Sequence, residues 1–297
     1  MLIPRRFLPS ISSLVALEAV DRLGSATAAA EELSLTQSAI SRQLKALEEQ
    51  MGAPLLLRER NRLQLTPAAH DYARQVRGLL ANLASASLRL KANPTGGGLN
   101  LAVLPAFGMH WLAPRLPDFA RRHPEVTVNF STRLAPFSFA QEPLDAAIHY
   151  GRRDWKDVGY LPLADEMVEP VAAPSLVGAG VETLDAMLAL PLLHLETRPD
   201  AWEEWFARKG RPVSGLRGML FDQFATMAQA AIHGFGVALL PSYLAAPELA
   251  SGRLQRVHAG PEPADGRYYL VWPLERPEGA PLRKFRNWLS GLAHPPA

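Results

Sequence analysis

The 297-residue chain has no cysteine, which excludes disulfides and thiolate metal centres. It has no unbroken apolar stretch near the roughly 18 residues that a membrane span needs. Neither sign of charge dominates: 31 Lys+Arg stand against 29 Asp+Glu, a net +2. Three catalytic signatures are missing as well: a Gly-x-Ser-x-Gly elbow, a His-Glu-x-x-His helix and a phosphate loop ending in Gly-Lys. His194-Leu195-Glu196 is the one conspicuous His/carboxylate pair, and it lacks a third ligand nearby. On a strand His194 and Glu196 share a face, where hydrogen bonding at a cleft edge is expected. No enzyme activity, metal, cofactor or membrane contact is therefore expected.

Hydrophobic content of 48% and charged content of 20% are ordinary for a globular protein. The length suits two or three domains. The charge is unevenly spread. Residues 1–91 carry 12 Lys+Arg and 8 Asp+Glu, whereas residues 92–297 carry 19 and 21. A mildly basic front on a mildly acidic body suits a polyanion for the front alone.

Apolar spacing predicts a helix over residues 12–23, with Leu14, Leu17, Val20 and Leu23 on one side. Gly24 and Ser25 end it, and Thr27 is positioned to cap a second, alanine-rich helix. Leu33-Ser34-Leu35 turns the chain into a third helix, which Thr36 caps and Gly52 stops. That helix carries Ile40, Leu44, Leu47 and Met51 on its apolar side, at spacings of four, three and four. "PLLLRERNRLQLT" then reads as two short strands around an Arg-rich tip. Thr66-Pro67 starts a long helix reaching about Lys91. Ala69, Ala73, Val76, Leu80, Leu83, Ser87 and Leu90 form a heptad-like seam along it, which asks for a partner helix.

The outer side of the third helix is unusual. Gln37, Ser38, Ser41, Arg42 and Lys45 are hydrogen-bonding or cationic rather than the usual Glu/Lys mixture. Gln pairs with adenine edges, Arg with guanine, and Ser with base edges or phosphate. They lie in the N-terminal half, the end that enters a major groove. Arg58, Arg60 and Arg62 on the following hairpin suit a wing on the DNA backbone or minor groove.

"NPTGGG" at 93–98 is a hinge. Beyond it, strand and helix signals alternate twice. Strands "LNLAVLP", "VTVNF" and "DAAIHY" accompany a helix at 109–122. Helices at 183–189, "DAWEEWFARKG" and 223–233 then interleave with strands "LLHL", "GLRGMLF" and "VALLP". Asp200 and Glu203 read as a capping box. "RYYLVWP" and a helix at 281–292 close the chain. Such alternation predicts α/β architecture with parallel sheets, in two subdomains about a cleft.

The front of the chain resembles the DNA-binding domain of LysR-type transcriptional regulators. The likeness rests on Ala29-Ala30, the "TQSAIS" turn at Thr36 to Ser41, Leu47-Glu48, Gly52 and "LTPA" at Leu65 to Ala68. It continues through "HPEVTV", "LDAAIHYG" and "GFGVALLPSYLA". "LDAAIHYGRRDW" and "YYLVWP" look like the branch with the glycine-cleavage activator and the β-lactamase regulator. Leu56 stands where the family usually has Phe, and Ala69 where it usually has Gly.

The resemblance implies a winged helix-turn-helix over 1–66, a dimerisation helix over 67–92 and an effector-binding domain over 93–297. The last is like a periplasmic binding protein, divided into about 94–165 plus 267–297 and about 166–266. It also implies an inverted-repeat DNA site, a homodimer or homotetramer, a small-molecule effector, contact with RNA polymerase and a cytoplasmic location. Ligands of open α/β sheets sit beyond the strand carboxyl ends. There lie Pro105, Ala106, Phe107, Thr132, Arg133, Tyr150, His194, Gln223 and Thr226, with His149, Glu196 and Asp222 beside them. Arg133 is the expected partner of a carboxylate. Related proteins often place Ser or Thr after the first body strand, where this chain has Pro105, Ala106 and Phe107. Phe107 in that place suggests an apolar or aromatic effector, or none.

"RRFLPSISSLVAL" followed by "ATAAA" supports an alternative, an exported solute-binding protein. Three serines dilute its apolar stretch, and Glu18, Asp21 and Arg22 end it.

Overall fold

The computed structural model describes residues 4–59, 62–94, 97–178, 181, 183–258 and 260–293. The chain forms two compact units, residues 1–94 and 95–297.

The first unit holds α1 (Ile11–Leu23), α2 (Ala26–Glu32), α3 (Gln37–Met51), strands β1 (Leu56–Glu59) and β2 (Arg62–Leu65), and α4 (Pro67–Ala92). Each start has a local cause. Ser10 caps α1 through the Ser13 N–H. Ser25, not the expected Thr27, caps α2, because its hydroxyl reaches the N–H groups of Thr27 and Ala28. Gly24 and Gly52 end α1 and α3 in the left-handed conformation, at φ 65° each. Ser34 is also left-handed, at φ 53°, which makes the tight turn into α3. The alanines of α2 let three helices close on Leu17, Ile40, Leu44 and Leu47, all of them buried. Ala69, Ala73 and Val76 bury the first turns of α4, and Ala69 and Ala73 join that same core. Farther along, Leu79, Leu83, Leu88 and Leu90 are exposed.

The second unit runs β3 (Gly98–Val103), α5 (Pro105–Phe107), α6 (Leu116–Arg122), β4 (Thr127–Thr132), β5 (Ala146–Gly151) and β6 (Val158–Ala172). Next come α7 (Pro174–Val177), α8 (Leu184–Leu188), β7 (Leu192–Leu195), α9 (Ala201–Arg208), β8 (Gly218–Phe221), α10 (Phe224–Ile232) and β9 (Val237–Pro241). It ends with α11 (Ser242–Ala250), β10 (Gln255–Arg256), β11 (Glu262–Pro273) and α12 (Ala280–Ala293). The strand order is β4-β3-β5-β11-β6-β9-β7-β8, with β10 on β6.

The sheet is mixed rather than parallel throughout. β3 runs parallel to β4 and β5, and β7 runs parallel to β8 and β9. Two long strands, β6 and β11, pair antiparallel and belong to both halves. Val158–Leu161 of β6 pair with the end of β11, while Val168–Val171 pair with β9. Their ladder breaks between Pro263 and Arg267, and there the two halves meet. One half packs around Phe119, Phe285 and Leu270, and the other around Trp205, Phe206 and Val237.

Three local expectations change. The helix expected over 109–122 is broken into a wide turn at Gly108–Leu112, a tight one at Ala113–Arg115 and then α6, because Pro114 and Pro117 cannot continue a regular ladder. Asp200 makes no side-chain cap, and Glu203 instead accepts the Gly215 N–H at 2.8 Å. The fifteen-residue β6 had no counterpart among the predicted strands.

Candidate functional site

Thr36 caps α3 by accepting the Ala39 N–H at 3.2 Å, and its hydroxyl lies 2.9 Å from that of Ser38. Burial of Ile40, Leu44 and Leu47 turns the opposite side outward. Gln37, Ser38, Arg42 and Lys45 are exposed, and Ser41 is half-buried. Steps of four and three place Ser38, Arg42 and Lys45 on one stripe. Lys45 stands 3.8 Å from Glu49. Among the described residues Arg42 has no ion-pair partner, so its guanidinium is free for another molecule.

Three part-buried hydrogen bonds, accepted by two side chains, Gln43 and Glu48, fix this helix. The Ser13 hydroxyl on α1 donates to Gln43 Oε1 at 2.9 Å. Glu48 Oε1 accepts the N–H groups of Leu55 and Leu56 at 2.8 and 3.2 Å. One carboxylate thus ties α3 to the start of the β1–β2 hairpin. On the other side of α1, Arg77 of α4 donates to Glu18 at 3.0 Å and to Asp21 at 2.7 Å. Arg60 and the side chains of Arg58 and Arg62 lie outside the described residues.

In the second unit, charge concentrates where β6 and β11 pass from one half to the other. Glu166 on β6 is fully enclosed and forms an ion pair with Arg198, which follows β7. Its other oxygen accepts the Tyr268 hydroxyl at 2.5 Å. Tyr243 lies 2.8 Å from that hydroxyl, and Arg198 reaches it at 3.3 Å. The Arg198 guanidinium sits 3.6 Å over the Tyr150 ring and 4.7 Å from that of Phe224. Burial is the largest influence and opposes its charge, but Glu166, Tyr268 and Tyr150 together outweigh it and hold the guanidinium protonated above its ordinary value. Burial, reinforced by the Glu166 charge, raises Tyr268 and Tyr243, so both keep their protons. Phe107 is enclosed beside them, stacked on Tyr268 at 3.9 Å and on Trp111 at 4.7 Å.

Three cavities meet at this cluster, and Arg198 lines all of them. One of about 500 Å³ lies under residues 197–202. One of about 90 Å³ lies by Arg133 and His149, and one of about 40 Å³ by Pro105–Phe107.

Comparison with known proteins decides the family. Residues 11–70 match the bacterial regulatory helix-turn-helix protein, lysR family, and residues 92–293 match the LysR substrate binding domain. The chain belongs to the LysR family. It is 32% identical over 289 residues to the glycine cleavage system transcriptional activator of Escherichia coli (strain K12), covering 96% of this chain and 94% of that one. It is 34% identical over 292 residues to the transcriptional activator AmpR of Pseudomonas aeruginosa, covering 95% of each. The effector domain of that AmpR superposes with a TM-score of 0.61 at 32% identity, over 66% of this chain and 94% of that one. Full-length CbnR in complex with its target DNA shares the fold, with a TM-score of 0.70 at 19% identity, over 96% of this chain and 100% of that one.

This LysR-family chain is thus a transcriptional regulator with an N-terminal helix-turn-helix and a C-terminal effector-binding domain of two α/β halves. The alternative, an exported solute-binding protein, is not favoured. From Ile11 onward the stretch that it reads as a leader forms the start of α1 and, with "ATAAA", lies within the helix-turn-helix match. Among the described residues no helix is long and apolar enough to cross a membrane, and no group of three His, Asp or Glu stands ready for a metal.

The residues expected around the cleft of this LysR-family chain separate. Pro105, Ala106, Phe107, Asp222 and Gln223 line the smallest cavity, and Tyr150 lines the two larger ones. Arg133 lines the middle one, but it is already paired with Glu142 at 2.7 Å and also donates to Thr132 O. Thr132 and Thr226 are exposed and line none of these cavities. His194 lines none either. Its ring packs so closely over Gly218 that a Cβ there would come within 2.7 Å of it. Arg198 and Glu166 were missed. The signal was present in "VGYLPLADEMVEPVA", an apolar run with acids that demand cationic partners when buried.

Proposed function

We propose that residues 1–66 bind an inverted-repeat DNA site as a winged helix-turn-helix. Residues 67–92 join two copies, and residues 93–297 bind a small effector between halves comprising about 94–165 plus 267–297 and 166–266. The exposed stripe of Ser38, Arg42 and Lys45 on a capped, doubly anchored helix carries this reading. Gln37 and Arg42 meet base edges, and Thr36, Ser38, Ser41 and Lys45 meet bases or phosphate near the helix N-terminus. Arg58, Arg60 and Arg62 meet the backbone from the hairpin. The exposed Leu79, Leu83, Leu88 and Leu90 make pairing through α4 favourable, at about 1.5–3 kcal/mol for each leucine buried. The protein works in the cytoplasm, performs no catalysis and contacts RNA polymerase when bound to its promoter.

Effector binding changes the angle between the two halves, and it does so only to the extent that the ligand prefers one state. The experiment is fluorescence anisotropy of the full chain on the DNA upstream of its own gene, across a range of salt. Tight binding with a steep salt slope and a preference over scrambled DNA supports the reading. Equal affinity for both DNAs would remove it.

A further inference from the structure

Volume separates the three cavities. Ligand pockets commonly measure about 300–1,000 Å³. The spaces by Pro105 and by Arg133 measure about 40 and 90 Å³. Phe107 occupies the first, wedged between Trp111 and Tyr268. Glu142 already engages Arg133 at the second. The cavity of about 500 Å³ under residues 197–202 is large enough for a metabolite, and none of the residues expected from the strand ends lines it except Tyr150.

Its walls carry a pattern. Leu193, Leu195, Met227 and Leu239 make an apolar floor. Asp200, the N-cap residue of α9, and Glu204 and Arg208 within it are spaced four apart along one wall of the cavity. Glu and Arg one turn apart on a helix commonly pair. Here Asp200, Glu204 and Arg208 make no ion pair among the described residues. Arg152, across the cavity, is neutralised by Asp265 at 2.7 Å. Arg198 spends two amino groups on Glu166 and Tyr268 and keeps its Nε–H unpaired among the described residues. The cavity thus offers two free carboxylates and the free Arg208 guanidinium along one wall, the unused Nε–H donor of Arg198, and apolar side chains between them.

We propose that this cavity, rather than the space beside Phe107, is the effector chamber of the protein, and that it takes a zwitterion with an apolar body, an amino acid or short peptide. The ammonium group meets Asp200 and Glu204, and the carboxylate meets Arg198. Because Arg198 is bonded to the shared strand β6 through Glu166 and stacked on Tyr150 of the other half, a carboxylate drawing on it acts where the halves join. The inference rests on reading the C-terminal unit as an effector-binding domain.

The test is a thermal-shift panel on the full chain, followed by titration of the compounds that shift it. The panel holds leucine, methionine, phenylalanine and their dipeptides, the N-acetyl and C-terminal amide forms of each, and simple mono- and dicarboxylates. The expected result is stabilisation by zwitterions alone. Affinity falls at least tenfold in Glu204→Lys, an exposed position, and in Ala201→Trp, which fills the chamber. It is unchanged in Gln223→Trp, which fills only the space beside Phe107. Loss of binding in Gln223→Trp but not in Ala201→Trp would overturn the placement and leave the effector reading standing, as would carboxylates that bind without an ammonium group. Absence of any shift across the whole panel would count against both.

Discussion

The Arg198 guanidinium lies 3.6 Å over the ring of Tyr150, so a residue that follows β7 in one half rests on the end of β5 in the other. Glu166, on a strand shared by both halves, is ion-paired with that guanidinium. This places a buried charge pair at the joint. Its desolvation is offset only while every partner remains in place.

Arg198→Ala leaves Glu166 enclosed without its cation, and breaking a buried pair in this way costs about 3–5 kcal/mol. Denaturant unfolding of the full chain is expected to show that loss. The double change Arg198→Met with Glu166→Gln is expected to recover most of it, because no lone charge remains. Equal loss in the single and double variants would show that shape rather than charge governs the joint.

Glu48→Ala removes the acceptor for two backbone N–H groups at the start of the hairpin. Unsatisfied groups of this kind cost about 1–3 kcal/mol each when buried. The expected outcome is a lower melting temperature and weaker DNA binding, with Glu48→Gln close to wild type because an amide oxygen still accepts. Thermal melting followed by circular dichroism checks this.

Leu83→Asp places a charge on the exposed apolar side of α4. Sedimentation velocity is expected to show a smaller assembly than wild type, with unchanged helix content. An unaltered sedimentation coefficient would mean that assembly uses another surface.

Much of the first unit was legible because its determinants are local. Thr36, Gly52, Thr66 and Pro67 act on their own helix ends, and the spacing of Ile40, Leu44 and Leu47 needs no distant partner. The α2 cap slipped from Thr27 to Ser25 because two neighbouring hydroxyls compete and only the backbone geometry chooses. The second unit hid its central strand. β6 contains Pro162, Pro170, Asp165, Glu166 and Glu169, each of which argues against a buried strand. The two buried glutamates are tolerated through remote contacts: Glu166 through Arg198 and Tyr268, and Glu169 through Arg256 at 2.6 Å. Arg198 was passed over for the same reason. Its partner Glu166 lies 32 residues earlier, whereas Arg133 stood at a strand end where a ligand was expected.

The central claim is that the Ser38–Arg42–Lys45 side of α3 reads base sequence. The most direct measurement is the ratio of affinities of Arg42→Ala for the upstream DNA and for a scrambled duplex at fixed salt, with folding checked by melting. One lost base contact is worth about 1–3 kcal/mol of discrimination, so the ratio is predicted to fall about 5- to 150-fold while the melting curve stays unchanged. A folded Arg42→Ala protein that keeps the full wild-type ratio would contradict the account.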